Sequence, residues 1–289
     1  MRLFFYAKTG HRVGLDRLRR VVALMNEFKE YEPFLMVEDF RAASFAKSEL
    51  GVKKSIGIDD IRNMANFCNR GDVVIFDSDE YSNIMHQEMI DYFKYFIRVS
   101  DKIDDEPKKG ELLISFYKQG ENIINGVLVD RDFFGEFKKD TKRVFFYGDD
   151  DYEKNLMKKS KIFKDLDVDL VEGFYFFLNY QDELKYFKNI YEIEEYKDII
   201  KRAKTFITSS PQTALEAAAS KSDVIYIQRE DKDKNLVPLL KEIGIKVLES
   251  FDKPMLEIAL KTKSNLRNDL LSDKGVTNVA RNIKNKLNL

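Results

Sequence analysis

Ala203-Lys-Thr-Phe-Ile-Thr-Ser-Ser-Pro-Gln-Thr-Ala-Leu-Glu-Ala-Ala-Ala-Ser-Lys-Ser-Asp-Val-Ile-Tyr-Ile227 carries the reading of the chain. An apolar run at 205–208 predicts a short strand. The polar turn Ser209-Ser-Pro-Gln-Thr213 follows, and residues 214–219 are helix-forming. Residues 223–227 predict a second strand, because Val, Ile and Tyr favour the pleated, buried surface. The polar loop 228–235 then leads to a helix ending near Gly244 and a strand at 245–248. Hydroxyls and backbone N–H groups therefore gather where a strand hands over to a helix, which is where an anion is held without a metal. Glu216 lies one turn into that helix, at a height from which a carboxylate reaches ribose hydroxyls. The competing reading is an ordinary strand-to-helix turn with a capped helix.

Working outward, the first half alternates in the same way. Strands are expected at 3–7, 34–37, 72–77 and 96–100, and helices at 15–28, 42–50, 60–69 and 83–95. Leu18, Val21, Val22, Met25 and Phe28 share one face of the first helix. The run at 72–77 is apolar almost throughout, as a parallel strand covered on both faces must be. Repeated strand–helix units with right-handed crossovers build a doubly wound α/β sheet. Ligands in such sheets sit at the carboxyl ends of the strands. Residues 104–140 look less regular and read as the crossing toward a second domain. A new strand at 143–147 and a helix at 152–163 open a second series. The aromatic stretch 173–196 contains Phe174, Tyr175, Phe176, Phe177, Tyr180 and Tyr196; 174–178 reads as a core strand, and 189–196 as a loop facing a ligand. Val276, Val279, Ile283 and Leu287 form one apolar stripe on a tail helix expected to pack back on the protein.

Composition narrows the classes. The chain has 289 residues, enough for about two domains, and 44% of them are hydrophobic. Its 49 basic and 50 acidic side chains nearly cancel, which leaves no electrostatic footprint for nucleic acid. No apolar run approaches the roughly 20 residues of a membrane span. The start of the chain reads as a strand rather than a signal peptide. The lone cysteine, Cys68, excludes an internal disulfide and fits a reducing, cytoplasmic setting; it reads as buried filler. Asp149-Asp-Asp151 follows a strand, and helix capping accounts for it better than a cation site. No metal-ligand spacing and no cofactor motif is present.

The run Ser209-Ser-Pro-Gln-Thr-Ala-Leu-Glu216-Ala-Ala-Ala resembles the nucleotide-binding loop in the C-terminal half of GT-B glycosyltransferases. It is most similar to the MurG-type transferases and to the PseG-type UDP-sugar hydrolases of the pseudaminic acid pathway. Further matches keep the same order along nearly the whole chain: Asp72-Val-Val-Ile-Phe-Asp-Ser78, Ile97-Arg-Val-Ser-Asp101, Asn125-Gly-Val-Leu-Val-Asp-Arg-Asp-Phe-Phe134, Val144-Phe-Phe-Tyr-Gly-Asp-Asp-Asp151 and Asp273-Lys-Gly275. The resemblance implies two Rossmann-like doubly wound domains facing a central cleft. The domains expected are 1–138, 139–262 (nucleotide-binding) and a helical tail, 263–289. It further implies that Ser209, Ser210, Gln212 and Thr213 hold a diphosphate, that Glu216 binds ribose, and that Asn235 contacts the sugar. The ligand implied is a UDP-type nucleotide-sugar of glycan biosynthesis.

The departures bear on catalysis. The family opens with a Gly-x-Gly-His-x-x-Arg loop whose His is the proposed base. Aligned on Arg20, Asp16 falls at the second Gly and Arg17 at the His. A guanidinium cannot act as a base at neutral pH. The candidates for catalytic roles are therefore His11, six residues earlier in a glycine-flanked loop, Asp16 and Arg17. His11 as a plain surface residue stays open. His86 reads as an exposed helix residue. The Arg17, Arg19, Arg20 cluster is either an anion contact or a solvated helix face. Two functions follow. One is a UDP-sugar hydrolase or glycosyltransferase working by metal-independent inversion at the anomeric centre. The other is a non-catalytic GT-B-like relative that binds or assembles with a protein partner.

Overall fold

The computed structural model describes residues 1–176, 184–267 and 269–289. The chain forms two compact units: Met1–Gly10, Arg17–Arg131 and Asp273–Leu289 make one, and His11–Asp16 with Asp132–Ser272 the other. Residues 132–138 thus group with the second unit, and the C-terminal helix with the first.

The first unit is built on β1 (Leu3–Ala7), β2 (Phe34–Val37), β3 (Ser55–Gly57), β4 (Val73–Asp77), β5 (Tyr95–Ser100), β6 (Glu111–Ser115) and β7 (Ile123–Asn125). Their order is β3-β2-β1-β4-β5-β6-β7, and every pair is parallel. All five residues of β1 and of β4 are buried, the signature of strands covered on both faces. Helices α1 (Asp16–Met25), α2 (Phe40–Ser48) and α3 (Asn83–Tyr92) cover the sheet. Asp39 and Ser82 cap α2 and α3, accepting from the N–H groups of Ala42 and Met85. The strand order reverses between β1 and β4, so Ala7 and Asp77 end side by side.

The C-terminal helix Gly275–Leu287 packs on this unit with Val276, Val279, Ile283 and Leu287 buried. It comes so close that a Cβ on Gly126 would lie 2.3 Å from Val279 Cγ2. Lys284 fastens its far end: Nζ donates to Glu27 O at 2.8 Å and to Glu30 at 2.6 Å.

Several sequence expectations change here. Residues 104–140 contain β6 and β7, which widen the first sheet by two strands. The expected helix at 60–69 is a short 3-10 turn, Ile61–Asn66, and the one at 152–163 splits at Ser160 into α4 (Asn155–Lys159) and a 3-10 turn. Phe174–Phe176 form a turn rather than a core strand, though Tyr175 is buried. Phe177, Leu178 and Tyr180 lie outside the described residues. Cys68 is buried.

His86 is buried, at 3% exposure, not exposed. Its Nε2 lies 2.6 Å from Glu111 Oε2, and Arg98 binds both Glu111 and Asp105. Burial holds the imidazole below its ordinary 6.5, against the pull of Glu111. A folded pKa below the unfolded one contributes stability that is present above pH 6.5 and lost as pH falls through the folded value. His86→Gln should therefore flatten the decline of Tm below pH 6.5. Calorimetric scans of both proteins between neutral and mildly acid pH check this; equal slopes would reject it. Asp72, Asp79 and Asp105, held low by their arginine partners, titrate in a more acidic window.

The second unit holds β8 (Thr141–Phe146), β9 (Asp169–Val171), β10 (Ile190–Tyr191), β11 (Ala203–Thr208), β12 (Asp223–Ile227) and β13 (Lys246–Leu248). They form a parallel sheet in the order β10-β9-β8-β11-β12-β13. Helices α5 (Tyr196–Arg202), α6 (Pro211–Ala219), α7 (Val237–Ile243) and α8 (Lys253–Ala259) flank it. Phe145, Phe163, Ile207, Ile225 and Leu256 centre its core. The order reverses between β8 and β11, and Phe146 pairs with Thr208 at their carboxyl ends.

Candidate functional site

The turn after β11 opens at that reversal, where an α/β sheet leaves a crevice for a ligand. Ser209 N–H extends the ladder by one bond, donating to Phe146 O at 3.1 Å. Thr208 Oγ1 accepts from Ser210 N–H at 3.0 Å. Ser210 is the N-cap of α6 and accepts from Thr213 N–H at 3.0 Å, with Pro211 at the first helical position. This is the expected start of a helix, since Pro there loses no hydrogen bond. Ser209, Ser210, Gln212, Thr213 and Glu216 are all buried, at 3% exposure or less. The Ser209 hydroxyl is buried with no hydrogen-bond partner among the described residues.

A carboxylate already occupies the first turn of α6. The Ser210 hydroxyl donates to Asp16 Oδ1 at 2.7 Å, and Gln212 N–H points at Asp16 Oδ2 at 3.5 Å. Asp16 belongs to the short segment His11–Asp16 of this unit. A helix N-terminus favours such a negative charge.

From Ser210 a row of oxygens runs inward. Ser210 Oγ lies 2.7 Å from Thr213 Oγ1, Thr213 Oγ1 lies 2.7 Å from the Tyr196 hydroxyl, and the Tyr196 hydroxyl lies 2.6 Å from Glu216 Oε2. Gln212 Nε2 donates to Glu216 Oε1 at 3.1 Å, one helical turn apart. Glu216, predicted as the ribose ligand, is thus bound by Tyr196 and Gln212. Tyr196 enters from α5, the end of the stretch expected to face a ligand.

Asn235 lies in the loop between β12 and α7. It is half-buried, and its N–H donates to Asp233 Oδ1 at 3.0 Å. The His11 ring packs on Tyr175 with centroids 4.7 Å apart. Arg17 falls in the first unit. There Arg17 Nη1 donates to Asp79 at 2.9 Å and holds its carboxyl down to about 2. Arg20 is buried between Asp77, at 2.5 and 2.7 Å, and Asp101, at 2.9 Å. Asp77 at the end of β4 and Asp101 just beyond β5 therefore neutralise Arg20, and Asp79 engages Arg17.

Sequence reasoning missed Arg229. It follows β12, is buried, and binds Asp150 through both terminal nitrogens, at 3.2 and 3.1 Å, with its guanidinium 4.3 Å over the Tyr147 ring. Lys232 adds a second contact to Asp150 at 2.7 Å. Opposite charges immediately beyond two strand ends were the available signal. Asp151 caps α4, accepting from Asn155 and Leu156 N–H at 2.7 and 3.0 Å, which agrees with a capping role. No group of three or more His, Cys, Asp or Glu side chains among the described residues is placed to hold a metal ion. No helix among them is long and apolar enough to cross a membrane.

Solved structures share this architecture from end to end. UDP-GlcNAc 2-epimerase from Methanocaldococcus jannaschii, in complex with UDP-GlcNAc and UDP, superposes with a TM-score of 0.64 at 13% identity, covering 99% of this chain and 100% of that one. The Neisseria meningitidis UDP-GlcNAc 2-epimerase bound to UDP-GlcNAc gives 0.56 at 11% identity over 99% of both chains. AviGT4, a glycosyltransferase involved in avilamycin A biosynthesis, gives 0.55 at 13% identity over 99% of this chain and 96% of that one. The fold is GT-B-like. No protein-family model matches the chain, and no curated protein matches its sequence.

Proposed function

We propose that this GT-B-like chain binds a nucleotide-sugar of the UDP type, with the diphosphate at the turn Ser209–Thr213 and the first turn of α6. The observation that carries the reading is the carboxylate of Asp16 on the Ser210 hydroxyl: this helix start holds an anion. The buried Ser209 hydroxyl, without a hydrogen-bond partner among the described residues, lies in the same turn. Glu216, Gln212 and Thr213 follow on the same helix, and Asn235 would contact the sugar. UDP-GlcNAc, which two structures of like fold bind, is the first ligand to try.

The reaction class proposed is hydrolysis or glycosyl transfer with inversion. The departing diphosphate gains charge, and a helix N-terminus stabilises that charge without a metal. The incoming water or hydroxyl needs a base, for which His11 and Asp16 are the candidates. The test is calorimetric titration with UDP, UDP-GlcNAc and CMP. Wild-type protein should bind UDP, and Glu216→Ala should weaken it about tenfold or more, some 1.4 kcal/mol. No binding of any of the three would sink the reading.

A specific observation favours the non-catalytic alternative. Arg17 stands where the resembled family has its histidine, and Asp79 engages it. Hydrolysis by wild type that is lost in His11→Ala would exclude that alternative. Hydrolysis gained only in Arg17→His would support it.

A further inference from the structure

Three contacts tie residues 133–139 to residues 220–222. The Ser220 hydroxyl donates to Phe133 O at 3.0 Å, Lys221 pairs with Glu136, and Lys139 Nζ donates to the Ser222 hydroxyl at 3.0 Å. Lys139 stands two residues before β8 and Ser222 one residue before β12. Their contact therefore lies at the amino ends of these parallel strands, the end of the sheet opposite to the turn after β11.

The Lys139 side chain is half-buried, and among the described residues the Ser222 hydroxyl is its one hydrogen-bond partner. That hydroxyl is already engaged: it donates to Ala203 O at 2.9 Å and toward Ile200 O at 3.4 Å. It accepts from the amine but brings no charge to offset an ammonium. The carboxylates next to this contact in the chain are bound by other cations. Asp140 accepts from Arg202 at 2.8 Å, Glu136 pairs with Lys221, and Asp223 accepts from Lys246 at 2.9 Å. Elsewhere a partly buried lysine sits on a carboxylate, as Lys232 does on Asp150 and Lys284 on Glu30. A buried ammonium without such a partner loses hydration and gains little in return, and burial pushes the Lys139 amine down to about 8.

We propose that the Lys139 amine is a nucleophile, the preferred site on this chain for acylation by an acyl phosphate. Desolvation without a counter-charge keeps a share of the amine neutral near physiological pH, and the neutral amine carries the lone pair that attacks. Half of the side chain remains open to a small reagent. In the reaction Nζ attacks the acyl carbon and a C–N bond forms. The bond from that carbon to the phosphate oxygen breaks, phosphate departs with the electron pair, and the surplus proton on nitrogen passes to water. The product amide keeps one N–H for Ser222 and has lost the positive charge. The amino-end position leaves the turn Ser209–Thr213 untouched, so acylation and nucleotide binding are separable.

Brief treatment of the full chain with acetyl phosphate near neutral pH, read by peptide mass spectrometry, tests this. Lys139 should be acetylated at least about tenfold faster than its exposed neighbour Lys138 or the exposed Lys263, because each unit by which an amine's pKa falls gives about tenfold more of the neutral form. In chain unfolded by urea the difference should vanish, since burial creates it. A Lys139 rate no greater than that of the exposed lysines, or a lead that survives unfolding, would overturn the proposal. NMR titration of the reductively methylated chain reads the amine directly, with the Lys139 signal identified by its loss in Lys139→Arg. A midpoint at about 8 is expected, and one at the ordinary 10.5 would overturn the proposal as well.

Discussion

Replacing Arg20 with methionine should destabilise the first unit by about 3–5 kcal/mol, the cost of removing one partner from a buried ion pair. Arg20 is 4% exposed and Asp77 1%. Its guanidinium takes both Asp77 oxygens and reaches Asp101 as well. Methionine fills much of the volume but leaves the Asp77 carboxylate buried opposite a thioether. Arg17→Met is the control. The Arg17 side chain is 20% exposed and its hydrogen-bonded partner Asp79 56%, a pair worth about 0–1 kcal/mol, and its contact to Asp77 is long, 3.9 Å, beside the 2.5 and 2.7 Å of Arg20. The chain has no tryptophan, so scanning calorimetry or circular dichroism is the suitable readout. A large loss of Tm for Arg20→Met beside a small one for Arg17→Met is the expected result. Equal losses would mean that the buried triad does not organise the carboxyl end of this sheet.

Gly173→Ala should cost the second unit about 2–3 kcal/mol, the range of a forced overpacking. A Cβ there would lie 2.2 Å from the carbonyl oxygen of Gly148 and 2.9 Å from Asp149 Cα. Both are backbone atoms, so no side chain can swing away. Tyr175 N–H donates to Asp149 O at 2.9 Å, and Phe174 N–H to Asp149 Oδ1 at 3.3 Å, so the two backbones are tied where they would have to part. The turn that follows β8 carries Asp150, which Arg229 binds from beyond β12, and the substitution should disturb that pair. Denaturant unfolding measures the stability. A variant within about 0.5 kcal/mol of wild type, as for an ordinary surface change, would show that the backbones can separate cheaply.

Much of the architecture was legible in the chain. Buried parallel strands are apolar on both faces, so Leu3–Ala7, Val73–Asp77 and Asp223–Ile227 announce themselves, and the polar turns between them mark the strand ends where a ligand fits. The Pro211 and Ser210 pair marks the start of α6 as plainly. Strands of three residues were harder. Ser55–Gly57 and Ile123–Asn125 are too short to show a period, and they exist because neighbouring strands offer open edges.

The sequence by itself determined the two runs of strand–helix units, the carboxyl-end turns and the hydroxyl-rich start of α6, because hydrophobic spacing and local backbone preference act within a few residues. Only the tertiary structure decided which polar atoms meet. Asp16 reaches Ser210 across 194 positions and Arg20 reaches Asp101 across 81. Tyr196, from a different helix, closes the row between Thr213 and Glu216. Such contacts depend on how separate elements pack to within a fraction of an ångström, and no local pattern encodes that distance. The same packing turned His86 inward onto Glu111 and set carboxylates against the arginines of α1.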